Sequence, residues 1–442
     1  MSSSPLVFVS IPGLRSQDVD AMVHLRELAS AGDRGSLSAS FPAVTWPVQA
    51  NMLTGSLPRE HGVIANGFFW RDQGKVEMWT AWNDKIARPQ AWDLLHGLPQ
   101  TRTSAVWFPM LSKGCGADYI CMPAPIHNPD GSESLWCYTK PVEFYGTLRD
   151  QLGHFPLKHF WGPLAGIPSS QWIVDSAVVG FQQFRPDFFF IYVPHLDYAA
   201  QKNGPNSPQA LQAVQELDTL LAKLVAQFRA AASTEPVFVF ASEYVITEVN
   251  HVVYPNRILR EAGLIRVINQ AEGGEELDVH NSPAWALVDH QFSHVFVKDR
   301  DAQTIAKVAA LMRGLPGIEE VLVGTERACY SMDHDRSGDV ILISSQSSWQ
   351  AYYWWLNDAQ APNYARTVDI HRKPGYDPVE LHFDMANRCI PLDAQLIRGS
   401  HGAPPRSQSQ IGAIVASQPG WLGQSALRDV DVAGLILRHC KT

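Results

Sequence analysis

Short apolar runs alternate with amphipathic stretches in the first part of the chain. The run LVFVSI lies between Pro5 and Pro12-Gly13, which is typical of a strand buried in a parallel sheet. Helical spacing of apolar residues follows from Gln17 to about Ser30. A strand followed by a helix is the repeating unit of α/β proteins.

The same pattern returns near the middle of the chain. DFFFIYVPHLD and PVFVFASEY predict two further buried strands, and the segment between them predicts a long helix that is capped by Ser207 and has Pro208 at its first position. Three buried strands with helices between them predict an α/β fold whose doubly wound parallel sheet is sandwiched by helices.

The pattern changes in the second half. SHVFVKD, AQTIAKVAALMRGL, IEEVLVG and GDVILISS predict strand, helix, strand and strand, a unit too compact to extend the first sheet. QIGAIVASQ and RDVDVAGLILRHC then return to strand and helix. We therefore predict a core domain over residues 1–262 and 390–442 and a smaller α/β cap insertion over residues 263–389.

Composition and charge narrow the class of protein. The 442 residues carry a formal charge of −9 and no long cluster of Lys and Arg, which argues against a nucleic acid polymer or an anionic membrane as partner. No apolar run is long enough to span a membrane, and no secretory leader is evident, so a cytoplasmic location is expected. The six cysteines show no zinc-binding spacing.

Polar residues follow the predicted strands at the edge where α/β sheets bind ligands. His195 and Asp197 follow the second strand, and Glu243 and Tyr244 follow the third. Thr45 begins an amphipathic stretch, so its hydroxyl is expected at a helix N-terminus, where anions bind. One such residue is more often a helix cap or a solvated loop residue, but several at one edge favour a functional site.

Three segments resemble motifs of the alkaline phosphatase superfamily, in its nucleotide pyrophosphatase/phosphodiesterase branch. FPAVTWPVQANMLTGSLPREHGVIAN is similar to the nucleophile segment, in which a Thr attacks phosphorus and an Asn binds a phosphate oxygen; Thr45 and Asn66 fall on these positions. PHLDYAAQKNGP resembles the ligand loop, with Asp197 on the metal-binding Asp, and RGSHG resembles a later segment whose His, here His401, is a metal ligand. The resemblance implies an alkaline-phosphatase-like fold.

The chain departs from the family at several metal-ligand positions. Pro12 replaces an Asp, Gln201 replaces a His, and Glu243-Tyr244 replaces an Asp-His pair. The resemblance leaves Asp197, His401, Glu243 and Gln201 as metal ligands. Because amide oxygen suits hard cations better than zinc, we expect one divalent ion (Zn, or Mn or Mg) rather than two, with no metal as the remaining alternative.

Polar loops of the cap offer further candidates. We expect DIHRKPGYDPVEL to supply substrate-binding residues at the Thr45 edge, with Arg372 as a bidentate phosphate ligand, Lys373 as a point charge and His371 beside them. The possible replacement metal ligands are His195, Asp289, His290, His294 and Asp377. Each of these residues taken alone is more often structural. The aromatic cluster WQAYYWW is more often core than a stacking wall.

Two functional hypotheses remain. The first is a phosphoric ester hydrolase of the phosphodiesterase, nucleotide pyrophosphatase or phosphomonoesterase type, which uses Thr45 as nucleophile in a divergent metal site on a small phosphorylated substrate. The alternative is a catalytically impaired pseudoenzyme that binds a phosphorylated ligand or acts as a scaffold. The sequence leaves the ester and the oligomeric state open.

Overall fold

The computed structural model describes residues 4–128, 133–271 and 273–441. Its strands, in chain order, are β1 (Leu6–Ile11), β2 (Asp33–Ser38), β3 (Gly67–Trp70), β4 (Lys75–Met78), β5 (Ser104–Trp107), β6 (Tyr119–Pro123), β7 (Ile126–His127), β8 (Glu133–Ser134), β9 (Cys137–Lys140), β10 (Phe188–Tyr192), β11 (Val237–Ser242), β12 (Thr247–Glu248), β13 (His251–Val253), β14 (Val267–Asn269), β15 (Glu275–Leu277), β16 (Ala284–Asp289), β17 (Phe292–Val297), β18 (Ile318–Val323), β19 (Val340–Ser344), β20 (Ser348–Gln350), β21 (Gly399–Ser400), β22 (Gly412–Ala416) and β23 (Ala426–Arg428).

Along the chain, most of the α-helices connect one strand of the large sheet to another. They are α1 (Ser16–Ala21), α2 (Val23–Ala31), α3 (Thr45–Thr54), α4 (Pro58–His61), α5 (Ala91–His96), α6 (Phe144–Leu152), α7 (Ile167–Phe184), α8 (His195–Asn203), α9 (Pro208–Ala231), α10 (Pro255–Glu261), α11 (Ala302–Met312) and α12 (Val432–Cys440). The single helix predicted from Gln17 to Ser30 is therefore wrong in detail. Met22 has extended dihedrals (φ −83°, ψ 111°), and it separates α1 from α2.

A nine-stranded sheet forms the centre of the molecule, in the order β23-β2-β22-β11-β1-β10-β5-β6-β9. The five strands from β11 to β6 are parallel, whereas β22 pairs antiparallel with both of its neighbours and β9 pairs antiparallel with β6. In register, Val7 of β1 lies opposite Phe189 of β10 and Phe238 of β11. The predicted α/β fold with a doubly wound, mostly parallel sheet is confirmed.

Apolar side chains cover both faces of this sheet, as the unbroken apolar runs predict. Along β1, Val7 and Val9 point into one buried cluster with α7 and α9, while Leu6 and Phe8 point into a second cluster with α3 and α12. The parallel strands therefore end in one row of loops between two helical layers, and this row holds the candidate site.

A separate four-stranded antiparallel sheet, β16-β17-β19-β18, falls within the predicted cap. Its core contains the WQAYYWW segment, in which Trp349, Trp354 and Trp355 are fully buried, so this cluster is core. The exact bounds of the cap stay a prediction. Within the described ranges, no helix is both long enough and apolar enough to cross a membrane.

Candidate active site

The loops after β1, β10 and β11 meet at the start of α3. Thr45 is the first residue of α3 and is 5% exposed, and its Oγ1 lies 3.1 Å from the phenolic oxygen of Tyr244, just after β11. The Tyr244 hydroxyl donates to Asp197 Oδ1 over 3.4 Å, so it is free to accept the Thr45 hydroxyl proton. Thr45, Tyr244 and Asp197 therefore form a continuous hydrogen-bonded row.

Asn66 is tied to the nucleophile segment from the other side. Its Oδ1 accepts from the Trp46 backbone N–H over 3.0 Å, and its Nδ2 donates to Asp289 Oδ1 over 3.1 Å. The Asn66 backbone N–H also donates to Asp289 Oδ2 over 2.7 Å. Burial raises the pKa of the Asp289 carboxyl to about 6, although the hydrogen bonds from Asn66 lower it. Asp289 thus orients Asn66 beside Thr45.

This arrangement also limits anion binding at the helix N-terminus. The N–H of Trp46 is used by Asn66, the N–H of Val48 donates to the Val44 carbonyl, and Pro47 has no N–H. The N-terminus of α3 therefore offers fewer free donors than the sequence predicted.

Asp197 and Gln201 lie one turn apart on α8 and are joined to the cap. Gln201 Nε2 donates to Asp197 Oδ2 over 2.8 Å, and its Oε1 accepts from the Tyr376 hydroxyl over 2.7 Å. Burial raises the pKa of the Asp197 carboxyl to about 7. The hydrogen bonds from Gln201 and Tyr244 act in the opposite direction and lower it. Tyr376 belongs to the predicted substrate-binding loop, so it is through Tyr376 that this loop reaches the centre.

Glu243 is buried between β1 and α3. Its Oε1 accepts from Ser10 Oγ over 2.7 Å and from Gln49 Nε2 over 2.8 Å, whereas its Oε2 has no partner among the described residues. Burial raises the pKa of Glu243 to about 8, although the hydrogen bonds from Ser10 and Gln49 lower it. Ser10 and Gln49 were missed from the sequence. Ser10 is a polar residue inside an apolar strand, and Gln49 lies four residues after Thr45 on the same helix face.

The rings of His401 and His290 are in contact, with centroids 3.9 Å apart and planes tilted by 44°. His401 Nδ1 donates to the Ala43 carbonyl over 2.8 Å, and its buried Nε2 has no hydrogen-bond partner among the described residues and lies 3.9 Å from Asp197 Oδ1. His290 Nδ1 lies 2.6 Å from Asp289 Oδ1, and the residue has a φ of +58° in the two-residue turn between β16 and β17. Burial lowers the pKa of both imidazoles well below the usual value, which favours the neutral form of each.

Three of the predicted replacement ligands are engaged elsewhere. His294 donates from Nε2 to the Ile64 carbonyl and accepts at Nδ1 from the Gly338 N–H, which leaves no lone pair for a metal. Asp377 is bound to Lys373. His195 Nε2 pairs with Glu216 over 2.9 Å, while its buried Nδ1 has no partner in the part of the chain that the structure describes.

The structure shows different surroundings for the cap residues that were predicted to contact substrate. The Lys373 ammonium is buried and held by Asp377 at 2.9 Å and Glu380 at 2.6 Å, so it cannot serve as a phosphate-binding point charge. Arg372 is largely exposed, pairs with Asp369 at 2.7 Å, and lies over the ring of Tyr364. It lines an aromatic cavity of about 2040 Å³ together with His371, whose Nδ1 lies 3.2 Å from the Met78 carbonyl oxygen.

This cavity adjoins the centre through its aromatic wall. Trp79 and Trp161 both line it, and their rings lie 5.9 Å and 5.5 Å from the ring of Tyr376. Tyr376 in turn stacks on His290 at 3.6 Å. Arg372 and His371 therefore line the space beyond Tyr376, outside the row that contains Thr45.

The donor set does not fit a two-metal centre. Among the residues that the structure describes, no three His, Cys, Asp or Glu side chains are grouped so that they could hold a metal ion. Both polar atoms of the Gln201 amide are hydrogen-bonded, to Asp197 and to Tyr376. Glu243 Oε1 already accepts hydrogen bonds from Ser10 and Gln49. Zinc sites in proteins normally need at least three side-chain ligands, which the pair Asp197 and His401 does not provide.

The sequence profile of the type I phosphodiesterase / nucleotide pyrophosphatase family matches residues 6–377. The chain therefore belongs to this family. The prediction of a nucleotide pyrophosphatase/phosphodiesterase-like member of the alkaline phosphatase superfamily is confirmed, and so is the class of phosphoric ester hydrolases at the level of the family.

Individual relatives are distant. The chain is 22% identical over 238 residues to an uncharacterized pyrophosphatase/phosphodiesterase of Schizosaccharomyces pombe, an alignment covering 50% of this chain and 40% of the relative. It is 23% identical over 229 residues to a venom phosphodiesterase of Crotalus durissus collilineatus, covering 50% of this chain and 24% of the relative. The chain thus spans less than half the length of either relative.

Two solved structures share the fold along the whole chain. Phosphonoacetate hydrolase from Sinorhizobium meliloti 1021, in complex with phosphonoacetate, has a TM-score of 0.65 and 17% identity, with 99% of this chain and 96% of that chain covered. Murine ectonucleotide pyrophosphatase / phosphodiesterase 5, in complex with AMP, has a TM-score of 0.63 and 13% identity, with 99% and 95% covered. At this identity the likeness establishes the fold alone.

Proposed function

We propose that the protein hydrolyses a phosphoric mono- or diester, with Thr45 as nucleophile and Asn66 Nδ2 as the donor to a non-bridging phosphoryl oxygen. The observation that carries the proposal is the joint placement of these residues: Thr45 begins α3, and Asn66 is hydrogen-bonded to the next residue of that helix, Trp46. Family membership and the relatives that bind AMP or phosphonoacetate favour a small phosphorylated substrate.

The chemistry of the step follows from the geometry. Thr45 Oγ1 forms a bond to phosphorus while the bond to the leaving oxygen breaks, and water then releases the phosphoryl group from Thr45. Asn66 is held by Asp289, so its amide is positioned before the substrate arrives, which favours stabilisation of developing negative charge.

No divalent ion is part of this proposal, because Asp197, His401, Glu243 and Gln201 do not form a complete ligand set. A single Zn, Mn or Mg ion, as expected from the sequence, would find only two side chains to hold it, Asp197 and His401, whose Oδ1 and Nε2 lie 3.9 Å apart.

The test is the rate of hydrolysis of aryl phosphodiesters, aryl phosphomonoesters and nucleoside pyrophosphates by the wild type, Thr45→Ser and Thr45→Ala. We expect Thr45→Ser to retain measurable hydrolysis, since serine keeps the hydroxyl, and Thr45→Ala to lose it. Full hydrolytic activity in Thr45→Ala would contradict the proposal.

A second candidate function is binding of a phosphorylated ligand without turnover, or a scaffold role. It is favoured by Pro12, Gln201 and Tyr244, which stand at family ligand positions and bring no carboxylate or imidazole. Saturable binding of AMP by calorimetry, with no hydrolysis of any phosphoester in the panel, would favour this alternative.

A further inference from the structure

We propose that a row of hydrogen-bonded side chains has replaced the metal ions at this centre, and that Tyr244 is a catalytic residue that accepts the Thr45 proton. The catalytic part of this inference rests on the proposed hydrolase function, whereas the replacement of the metal ions does not. The row runs from the cap to the nucleophile through Tyr376, Gln201, Asp197, Tyr244 and Thr45, and each neighbouring pair is joined by a hydrogen bond.

The first argument is the direction of these hydrogen bonds. Tyr376 donates to Gln201 Oε1, and Gln201 Nε2 donates to Asp197 Oδ2. Asp197 therefore receives one donor from the cap side and a second, at Oδ1, from Tyr244. A carboxylate that accepts two hydrogen bonds in a buried site needs no cation to satisfy its oxygens.

The second argument is the position of the Tyr244 ring. It lies parallel to the His401 imidazole, with centroids 3.6 Å apart and planes 6° apart. The stacked phenol carries its hydroxyl between Thr45 at 3.1 Å and Asp197 at 3.4 Å. The Tyr244 hydroxyl thus contacts both the nucleophile and a carboxylate that sequence resemblance had assigned to a metal.

The third argument is the balance of protons that this row permits. As Thr45 Oγ1 bonds to phosphorus, its proton moves to Tyr244 Oη while the Tyr244 proton moves to Asp197 Oδ1. The departing alkoxide takes a proton from water. When water later attacks the phosphoryl-threonine, the same protons return through Tyr244 to Thr45 Oγ1, and the proton of the attacking water neutralises the hydroxide left by the first step. No cation, oxidant or further co-reactant is required.

The role of the Tyr244 hydroxyl is tested with one variant that removes it and one control variant. Tyr244→Phe keeps the ring that stacks on His401 and removes only the hydroxyl. Tyr352→Phe is a matched control, because Tyr352 is a buried tyrosine of the cap core whose hydroxyl has no hydrogen-bond partner among the described residues. We expect Tyr244→Phe to lower kcat about 100-fold with KM little changed, as for loss of a general base, and Tyr352→Phe to keep the wild-type kcat.

The metal part is tested without any assay of activity. Wild-type protein purified without chelator and dialysed against zinc or manganese is examined by elemental analysis beside Asp197→Asn. We expect no stoichiometric ion in either protein. One equivalent of metal in the wild type that is lost in Asp197→Asn would overturn the replacement of the ions.

The failures of the two proposals are distinguishable. A wild type that hydrolyses no phosphoester would remove the proposed function and the catalytic role of Tyr244, while the metal content would still decide whether the row has replaced the ions. An active wild type whose Tyr244→Phe variant keeps full kcat would overturn the role of Tyr244 alone.

Discussion

The phenol ring of Tyr244 lies flat on the imidazole of His401, with 3.6 Å between ring centroids. The hydroxyl of this ring lies between Thr45, the proposed nucleophile, and the carboxylate of Asp197, and the family resemblance implied a metal ligand at position 244. The contact explains how the centre can keep its nucleophile segment and yet lack a complete set of metal ligands: a hydrogen-bonding aromatic side chain occupies the position.

Replacement of Asn66 tests the second proposed catalytic residue of the nucleophile segment. Asn66→Ala removes the proposed hydrogen-bond donor to the phosphoryl oxygen. We expect kcat/KM to fall by roughly 100-fold or more, as for the loss of a donor to an oxyanion. The variant also leaves the Trp46 N–H without its acceptor and removes one of the hydrogen bonds to Asp289, so the free energy of unfolding should fall by about 1–3 kcal/mol. Steady-state kinetics and urea unfolding measure the two effects. An equally active variant would exclude Asn66 from the reaction.

Tyr376 provides a graded test of the link between cap and core. Tyr376→Phe keeps the ring on His290 but frees Gln201 Oε1, so the orientation of Gln201 and Asp197 is less restrained. The net value of one hydrogen bond is about 1 kcal/mol, so we expect kcat to fall by up to about tenfold, less than for Tyr244→Phe. A loss larger than that of Tyr244→Phe would mean that Tyr376 itself acts on the substrate.

The role of Lys373 is structural in this account. Lys373→Met leaves Asp377 and Glu380 as buried carboxylates without their cation, and we expect the free energy of unfolding to fall by about 3–5 kcal/mol. The exposed neighbour makes a matched control, since Arg372→Met should change stability by less than about 1 kcal/mol. Chemical denaturation of both variants measures the difference. Unchanged stability of Lys373→Met together with a raised KM would instead restore the phosphate-binding role.

Two buried histidines away from Thr45 predict loss of stability in mild acid. His61 donates from Nε2 to Asn51 and accepts at Nδ1 from the Val63 N–H, and His294 has the same pattern with Ile64 and Gly338. Burial lowers the pKa of His61 to about 3 and that of His294 to about 4.

The sign of the effect follows from proton uptake by the unfolded chain. Below the usual histidine pKa of 6.5, these two histidines bind protons in the unfolded chain but stay unprotonated in the folded protein. Their contribution to the free energy of unfolding is therefore fully present above that pH and is lost as the pH falls towards 4. The raised carboxyl pKa values of Asp197 and Glu243 act in the opposite direction. We therefore compare the wild type with His294→Gln by urea unfolding at neutral and acidic pH. The variant should lose less stability on acidification, and an identical loss would contradict the prediction.

The sheet and the edge that holds the site could be predicted from the sequence because both depend on local patterns. Leu6–Ile11 is apolar at nearly every position, since both faces of its strand are covered, and the polar residues after the strands meet because parallel strands end at one edge. Thr45 and Asn66 followed from the resemblance, and the structure joins them through Trp46.

The contacts between cap and core could not be predicted in this way. Tyr376 meets Gln201 across 175 positions of the sequence, and the stack of Tyr376 on His290 depends on how a loop after the small sheet folds back. Lys373 was predicted to bind phosphate because its partner Glu380 reaches it only in the folded loop. Asp377, four residues after Lys373, was a local indication of an ion pair. The backbone contacts of His294 likewise exist only in the assembled sheet.

The most direct test of the account is a search for phosphorus on Thr45. The wild type and Thr45→Ala are mixed with an aryl phosphodiester in buffer that contains a metal chelator, quenched in acid, digested and analysed by mass spectrometry. The account predicts a phosphoryl adduct on the peptide that contains Thr45 in the wild type, and neither adduct nor product from Thr45→Ala. Hydrolysis that proceeds equally in both proteins, or that stops in the wild type whenever the chelator is present, would contradict it.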